Sequence, residues 1–172
     1  KDLFETIINH IPAPEGDEDE PVQALISTID YNEFVGRIGV GKVERGTISV
    51  NQELMLLNHH DPDKHERVKI SKLYEFDGLN KVEVKSATIG AIVAISGIAD
   101  IHIGDTLCAG DNPESIPFQK ISEPTISMNF LVNDSPLAGQ EGKYITSRHL
   151  RDRLYRELNT DVSLRVEDTD TT

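Results

Sequence analysis

The sequence predicts a mainly β protein, an antiparallel β-barrel or sandwich followed by a mixed α+β segment. Three observations carry that reading. From Val22 to about Cys108 the chain is a series of short β-rich runs separated by turn signals, the pattern of an antiparallel barrel or sandwich. Ile89-Gly-Ala-Ile-Val-Ala-Ile95 is apolar on both faces, as a central strand must be. Beyond the linker Asp111-Asn-Pro-Glu114 the pattern turns mixed: an alternating run, a helix-spaced run and a second alternating run, in the order β-α-β.

At the start of the chain Leu3, Phe4, Ile7, Ile8 and Ile11 fall at helical spacing before Pro12, so residues 1–11 read as a short helix with one apolar stripe. A helix this short is marginal in water without a surface to pack on. Residues 12–21 mix prolines with an acidic block and read as a linker. Strands are expected near residues 22–30, 35–45, 47–50, 53–58, 67–76, 82–84, 91–97 and 105–108. Within 67–76, Val68, Ile70, Tyr74 and Phe76 share one face, and Arg67, Lys69, Ser71 and Glu75 take the other. Ile126, Met128, Phe130 and Val132 alternate with Ser127, Asn129 and Leu131. Thr146 or Ser147 can cap a helix in which Leu150, Leu154 and Leu158 repeat every fourth residue. Val162, Leu164 and Val166 then alternate with Ser163, Arg165 and Glu167, and the three apolar faces should meet.

At 172 residues the chain can hold one sizeable or two small domains. A net charge of −13 argues against tight autonomous binding of nucleic acid, while leaving room for local basic patches on a larger assembly. The single cysteine, Cys108, excludes an internal disulfide and reads as a small buried hydrophobe at a strand end. No signal-peptide pattern and no run of ~20 apolar residues is present, so a cytoplasmic protein without a membrane span is expected. Asn133-Asp-Ser135 matches a glycosylation sequon but reads as a polar turn before Pro136.

Residues Gly36 to Lys42 satisfy the phosphate-loop pattern G-x-x-x-x-G-K, yet the next position, which needs a hydroxyl for magnesium, is Val43. A phosphate loop also needs a helix whose amides face the anion. Lys42 is succeeded instead by Val-Glu-Arg-Gly-Thr-Ile, where Gly46 can take positive φ between two β-branched runs, so a strand, a tight turn and another strand are expected. Asn80-Lys-Val-Glu83 misses the guanine-reading N-K-x-D by its last carboxylate, and no D-x-x-G occurs.

Several clusters invite chemistry. His59, His60 and His65 lie with Asp61 and Asp63 around Pro62 and could bind a transition metal, although a solvated hairpin loop has the same composition. Glu167, Asp168 and Asp170 could form a carboxylate set, but without a partner acid or base in view a solvated strand end is the simpler reading. Arg37, Lys42 and Arg45 lie along the hairpin. There Gly39 and Gly41 leave space for another backbone or a phosphate to approach, or else simply sit at barrel bends. Lys143 to Arg156 holds five basic residues and one acid, Asp152. Arg148, Asp152 and Arg156 are spaced to stabilise an exposed helix face, and contact with RNA or protein is the alternative.

Taken together, Leu3 to Pro14, Asp30 to Ile48, Lys69-Ile-Ser-Lys-Leu-Tyr74, Gly90 to Gly97, Gly104-Asp-Thr-Leu-Cys108 and Glu123-Pro-Thr-Ile-Ser-Met128 resemble the translational GTPases. Asp30-Tyr-Asn-Glu33 and Met128 to Pro136 resemble the ribosome-associated BipA/TypA family more than elongation factor G. That resemblance implies a remnant of the GTPase-domain exit helix and an acidic linker over residues 1–20. It further implies the translation-factor β-barrel (domain II) over 21–111, a linker over 112–122 and the first half of a ferredoxin-like domain III over 123–172. The chain would then be a fragment, without catalytic, cofactor or metal residues of its own, of a parent whose missing domain binds GTP and magnesium and acts on the ribosome. The alternatives are the matching domains of an elongation factor G-like protein, a general partner-binding barrel, and, from a different class, a self-sufficient enzyme using the phosphate-loop mimic. The same resemblance turns Arg37, Lys42, Arg45, Lys143, Arg148 and Arg156 toward ribosomal RNA or protein. In a ferredoxin-like sheet a third strand lies between the first two, so the strands near Ile126 and Val162 would flank an empty lane, which a second copy could fill by strand pairing or a swap.

Overall fold

The structure, a computed structural model, describes residues 2–13, 16–110, 112–120, 122–140 and 142–169. It divides into two units, 1–120 and 121–172.

The first unit opens with helix α1 (Asp2–His10), whose apolar stripe buries nothing: Leu3, Phe4 and Ile8 all stand exposed. The strands are β1 (Gln23–Asn32), β2 (Gly36–Arg45), β3 (Thr47–Ser49), β4 (Glu53–Asn58), β5 (Asp61–Lys69), β6 (Lys72–Asp77), β7 (Asn80–Val84), β8 (Ser86–Thr88), β9 (Ile92–Ser96) and β10 (Asp105–Cys108). Eight of them form one sheet in the order β5-β4-β10-β1-β2-β9-β6-β7, and β3 pairs with β8 in a separate ribbon. An ion pair between Lys81 on the edge strand β7 and Asp30 on β1, four places away in that order, shows that the sheet coils back on itself. Ile48, Leu56, Ile70, Leu73, Ile95 and Leu107 are fully buried inside the coil. Each such side chain contributes about 1.5–3 kcal/mol of transfer free energy. The doubly apolar run near Ile92 lies between β2 and β6, as a central strand should.

Two expectations are corrected. The stretch 67–76 is not one strand, because the chain changes partners at Ile70-Ser71: β5 pairs with β4, β6 pairs with β9, and the Ser71 N–H already donates to the Ser96 carbonyl at 3.0 Å. The break shifts the inward phase by one residue, so Leu73 is fully buried while Phe76 is exposed. The histidine loop is mostly strand as well, since β5 begins at Asp61 and His65 pairs with Leu57. Ser86-Ala-Thr88 is too short and polar to read as a strand from sequence, yet Ala87 is buried against the core.

The phosphate-loop reading ends here too: Gly36 to Arg45 is a single strand, with no helix after Lys42. Its glycines serve the barrel itself. The β1–β2 register shifts between Ile26 and Thr28, and a Cβ at Gly41 would lie 2.1 Å from the Leu25 carbonyl oxygen. A Cβ at Gly39 would strike the Ile101 side chain. The space that could have admitted a phosphate is filled by the protein.

Two stretches expected as linkers lie against the barrel. Gly46 (φ 71°) turns β2 into β3 and its N–H donates to the Asp17 carbonyl, so the acidic stretch 16–20 packs at this turn. Residues 112–120 form a strap: Gln23 Nε2 donates to the Glu114 carbonyl at 2.8 Å, the Ile116 N–H to Thr106 Oγ1 at 2.9 Å, and the Phe118 ring covers Gly104.

In the second unit, helix α2 (Ser147–Glu157) is capped by Thr146, whose hydroxyl accepts the His149 N–H. The flanking alternating runs form no strand among the described residues, which corrects the expected β-α-β. A strand is made by its ladder partner, and among the described residues neither run pairs with another. Ile126, Met128 and Phe130 accordingly stand exposed.

Candidate nucleic-acid interface

The β2 cations do not form one patch. Arg37 and Arg45 are eight residues apart on one strand, roughly 25 Å. Lys42 lies between them, neutralised by Glu44 at 2.7 Å. Arg45 sits beside the turn that carries Asp17 and Glu18, acids that oppose an incoming phosphate; its Nε is buried and has no hydrogen-bond partner among the described residues. Arg37 differs from both. It pairs with no carboxylate among the described residues, and its Nη1 lies 3.4 Å from Nε2 of His102.

In the second unit most cations of the basic run have partners. Arg148 faces Asp152 at 3.9 Å, Arg153 pairs with Glu157, and Arg156 is engaged as well. Arg151 makes a two-pronged contact to Asp168, both N–O distances 2.9 Å, and lies 4.8 Å over the Tyr155 ring. Hydrogen bonding from the Arg151 guanidinium holds the Asp168 carboxyl below the usual carboxylate range. Asp168 is therefore an ion-pair partner, which replaces the carboxylate-set reading; Asp170 lies outside the described residues. Lys143 is exposed ahead of the helix.

The histidines do not converge either. His60 Nε2 lies 2.9 Å from the Phe118 carbonyl and its ring meets Phe118 edge-on, making it part of the strap. No group of three or more metal-ligating side chains occurs among the described residues. Cys108 is fully buried, as expected.

Sequence reasoning missed a polar cluster around Asp105, which is fully buried at the start of β10. Its Oδ1 accepts from Asn58 Nδ2 at 2.8 Å, and its Oδ2 accepts from Lys64 Nζ at 2.9 Å and the His102 N–H at 2.8 Å. No local pattern announces it, because Asn58, Lys64 and Asp105 are brought together only by β10 pairing with β4 and β4 with β5.

The coiled antiparallel sheet and its glycine-bent hairpin define a β-barrel. The elongation factor Tu domain 2 family matches residues 36–108. The apo structure of translation elongation factor SelB from Methanococcus maripaludis shares the fold, with a TM-score of 0.51 at 20% identity over 64% of this chain and 22% of that one. Along nearly its whole length the chain is similar to BipA proteins. It is 49% identical over 98% of its length to the large ribosomal subunit assembly factor BipA of Synechocystis sp., 48% over 97% to that of Bacillus subtilis and 43% over 98% to that of Escherichia coli K12. It spans 27–28% of the length of these relatives. No helix among its described residues is long and apolar enough to cross a membrane.

Proposed function

We propose that this chain is the ribosome-docking part of a longer, cytoplasmic BipA-type translational GTPase, whose GTP and magnesium are held by a domain outside it. The observation that carries the reading is the identity along nearly the whole chain to proteins named for large ribosomal subunit assembly. In this reading residues 21–111 are domain II and 123–172 the first half of a ferredoxin-like domain III. The barrel acts as a rigid platform and does no chemistry. Arg37 and Lys143 are the cations best placed to reach RNA, because Lys42, Arg148 and Arg156 have partners and Arg45 lies beside acids.

Co-sedimentation with purified ribosomal subunits at low salt tests the docking role. Retention that falls as salt rises is expected; a chain that never pellets with either subunit overturns it. Isothermal titration with GTP and magnesium tests the division of labour, and micromolar binding by this chain alone would return the chemistry to it. The exposed Ile126, Met128 and Phe130 support a subsidiary proposal, that a second copy covers this run by strand pairing or a swap. Sedimentation velocity that returns a monomer at every concentration removes it.

A further inference from the structure

At one corner of the barrel three donors converge: Arg37 on β2, Lys64 on β5 and His102 in the loop between β9 and β10. The corner stands on a fixed base, because the buried Asp105 carboxylate holds both the Lys64 ammonium and the His102 backbone N–H. His102 Nδ1 lies 3.1 Å from the Asp100 carbonyl and 3.2 Å from Lys64 Nζ, and Nε2 lies 3.4 Å from Arg37 Nη1; a neutral ring with its proton on Nδ1 donates to the Asp100 carbonyl and presents a lone pair to Arg37. Once Nε2 is protonated, two donors at that separation can share one anionic oxygen placed between them.

A weak internal competitor already sits at the rim. Asp100 Oδ1 is 3.7 Å from His102 Nε2 and Oδ2 is 3.8 Å from Lys64 Nζ, beyond hydrogen-bond reach, and the carboxylate is 69% exposed. It occupies the approach to the donors without satisfying them. Two aromatic side chains flank the corner. Tyr31 is the cross-strand neighbour of Arg37, and Phe34 is 97% exposed at the β1–β2 tip, where its N–H is fixed by Asn32 Oδ1 at 2.9 Å.

We propose that Arg37 and His102 form a phosphodiester site for RNA, with Asp100 as a displaceable gate and His102 taking up one proton from solvent as the anion enters. The source of the phosphate rests on the ribosome-docking reading. RNA is favoured over an acidic protein segment because a cation beside the fully exposed Phe34 ring and the half-buried Tyr31 ring offers both a phosphate contact and a stacking surface for bases. The charged groups facing the ring are Arg37 from β2, Lys64 from β5, Asp105 from β10 and Asp100 from its own loop. An incoming phosphate adds a negative charge beside the ring and so favours its protonated form.

The test is imidazole nitrogen NMR of His102 in the full chain, titrated over pH with and without a short single-stranded RNA. With RNA, the His102 titration midpoint is expected to rise. Arg37→Ala should weaken RNA binding about tenfold and Asp100→Asn tighten it about threefold, while His102→Gln should bind with no pH dependence between 5 and 8, roughly the histidine range. All three positions lie at the surface, so unchanged amide dispersion confirms the fold. A His102 signal indifferent to RNA overturns the proposal, as does an equal response to poly-glutamate, or a response to inorganic phosphate and none to RNA. Silent His102 with wild-type co-sedimentation intact removes this site and leaves the docking role. An RNA response without co-sedimentation does the reverse.

Discussion

The barrel and the segment after residue 121 carry the same sequence signal and reach different ends. Leu54 and Leu56 on β4, and Val68 and Ile70 at the end of β5, place apolar side chains at every second position, and so do Ile126, Met128 and Phe130. The first set is buried because β4 finds β5 on one side and β10 on the other. The second set stays in solvent, because alternation specifies which face would be apolar and not whether a neighbour exists to complete the ladder.

The largest test of that contrast is in the side chains. Leu56→Ala should destabilise the barrel by about 2–5 kcal/mol, whereas Phe130→Ala should move the urea midpoint by less than about 0.5 kcal/mol. Equal losses would mean that the second region buries its apolar run as firmly as the first. Next comes a pair of ion pairs. Lys64→Ala leaves the Asp105 carboxylate buried without its counter-charge and should cost about 3 kcal/mol in a urea melt. Arg151→Ala removes a solvent-exposed pair, and its smaller effect should vanish in high salt. A salt-insensitive loss at Arg151 would place Asp168 in a far drier setting than its exposure indicates.

The smallest effect concerns acid. Hydrogen bonding from Lys81 holds the Asp30 carboxyl below its ordinary value of 3.8. A depressed carboxylate contributes stability that is present above its unfolded value and lost as pH falls through the folded one. The wild type should therefore lose slightly more stability than Asp30→Asn on acidification below about 3.8, measured as urea midpoints across that range. Identical acid profiles would show that the β7–β1 closure does not depend on this pair.

Much of the barrel was legible because its strands obey local rules. Turns at Gly46 and Gly78 need positive φ, and the run around Ile95 is apolar on both sides because both of its faces are covered, Val93, Ala94 and Ile95 all being buried. Ile70-Ser71 misleads because a change of pairing partner has no local signature, so alternation alone puts Leu73 and Phe76 on the wrong sides. The candidate site was half legible. Arg37 stands out as a cation beside glycines, but His102 and Asp100 come from a loop some 65 residues away from it in sequence, and only the sheet order brings them together. Lys42 and Arg45 are equally conspicuous; Glu44, two places along the same strand, blunts the first, while the Asp17–Glu18 stretch beside the second becomes visible only once the chain is folded.

The Phe118 ring seated on Gly104 has a practical consequence for anyone cutting this molecule into parts. Excision after Gly110 would pull out an aromatic plug, strip the Gln23 amide, the Thr106 hydroxyl and the His60 imidazole of their mates, and lay bare a greasy dent on the outer wall. A piece expressed with its wall intact therefore has to run at least to Phe118.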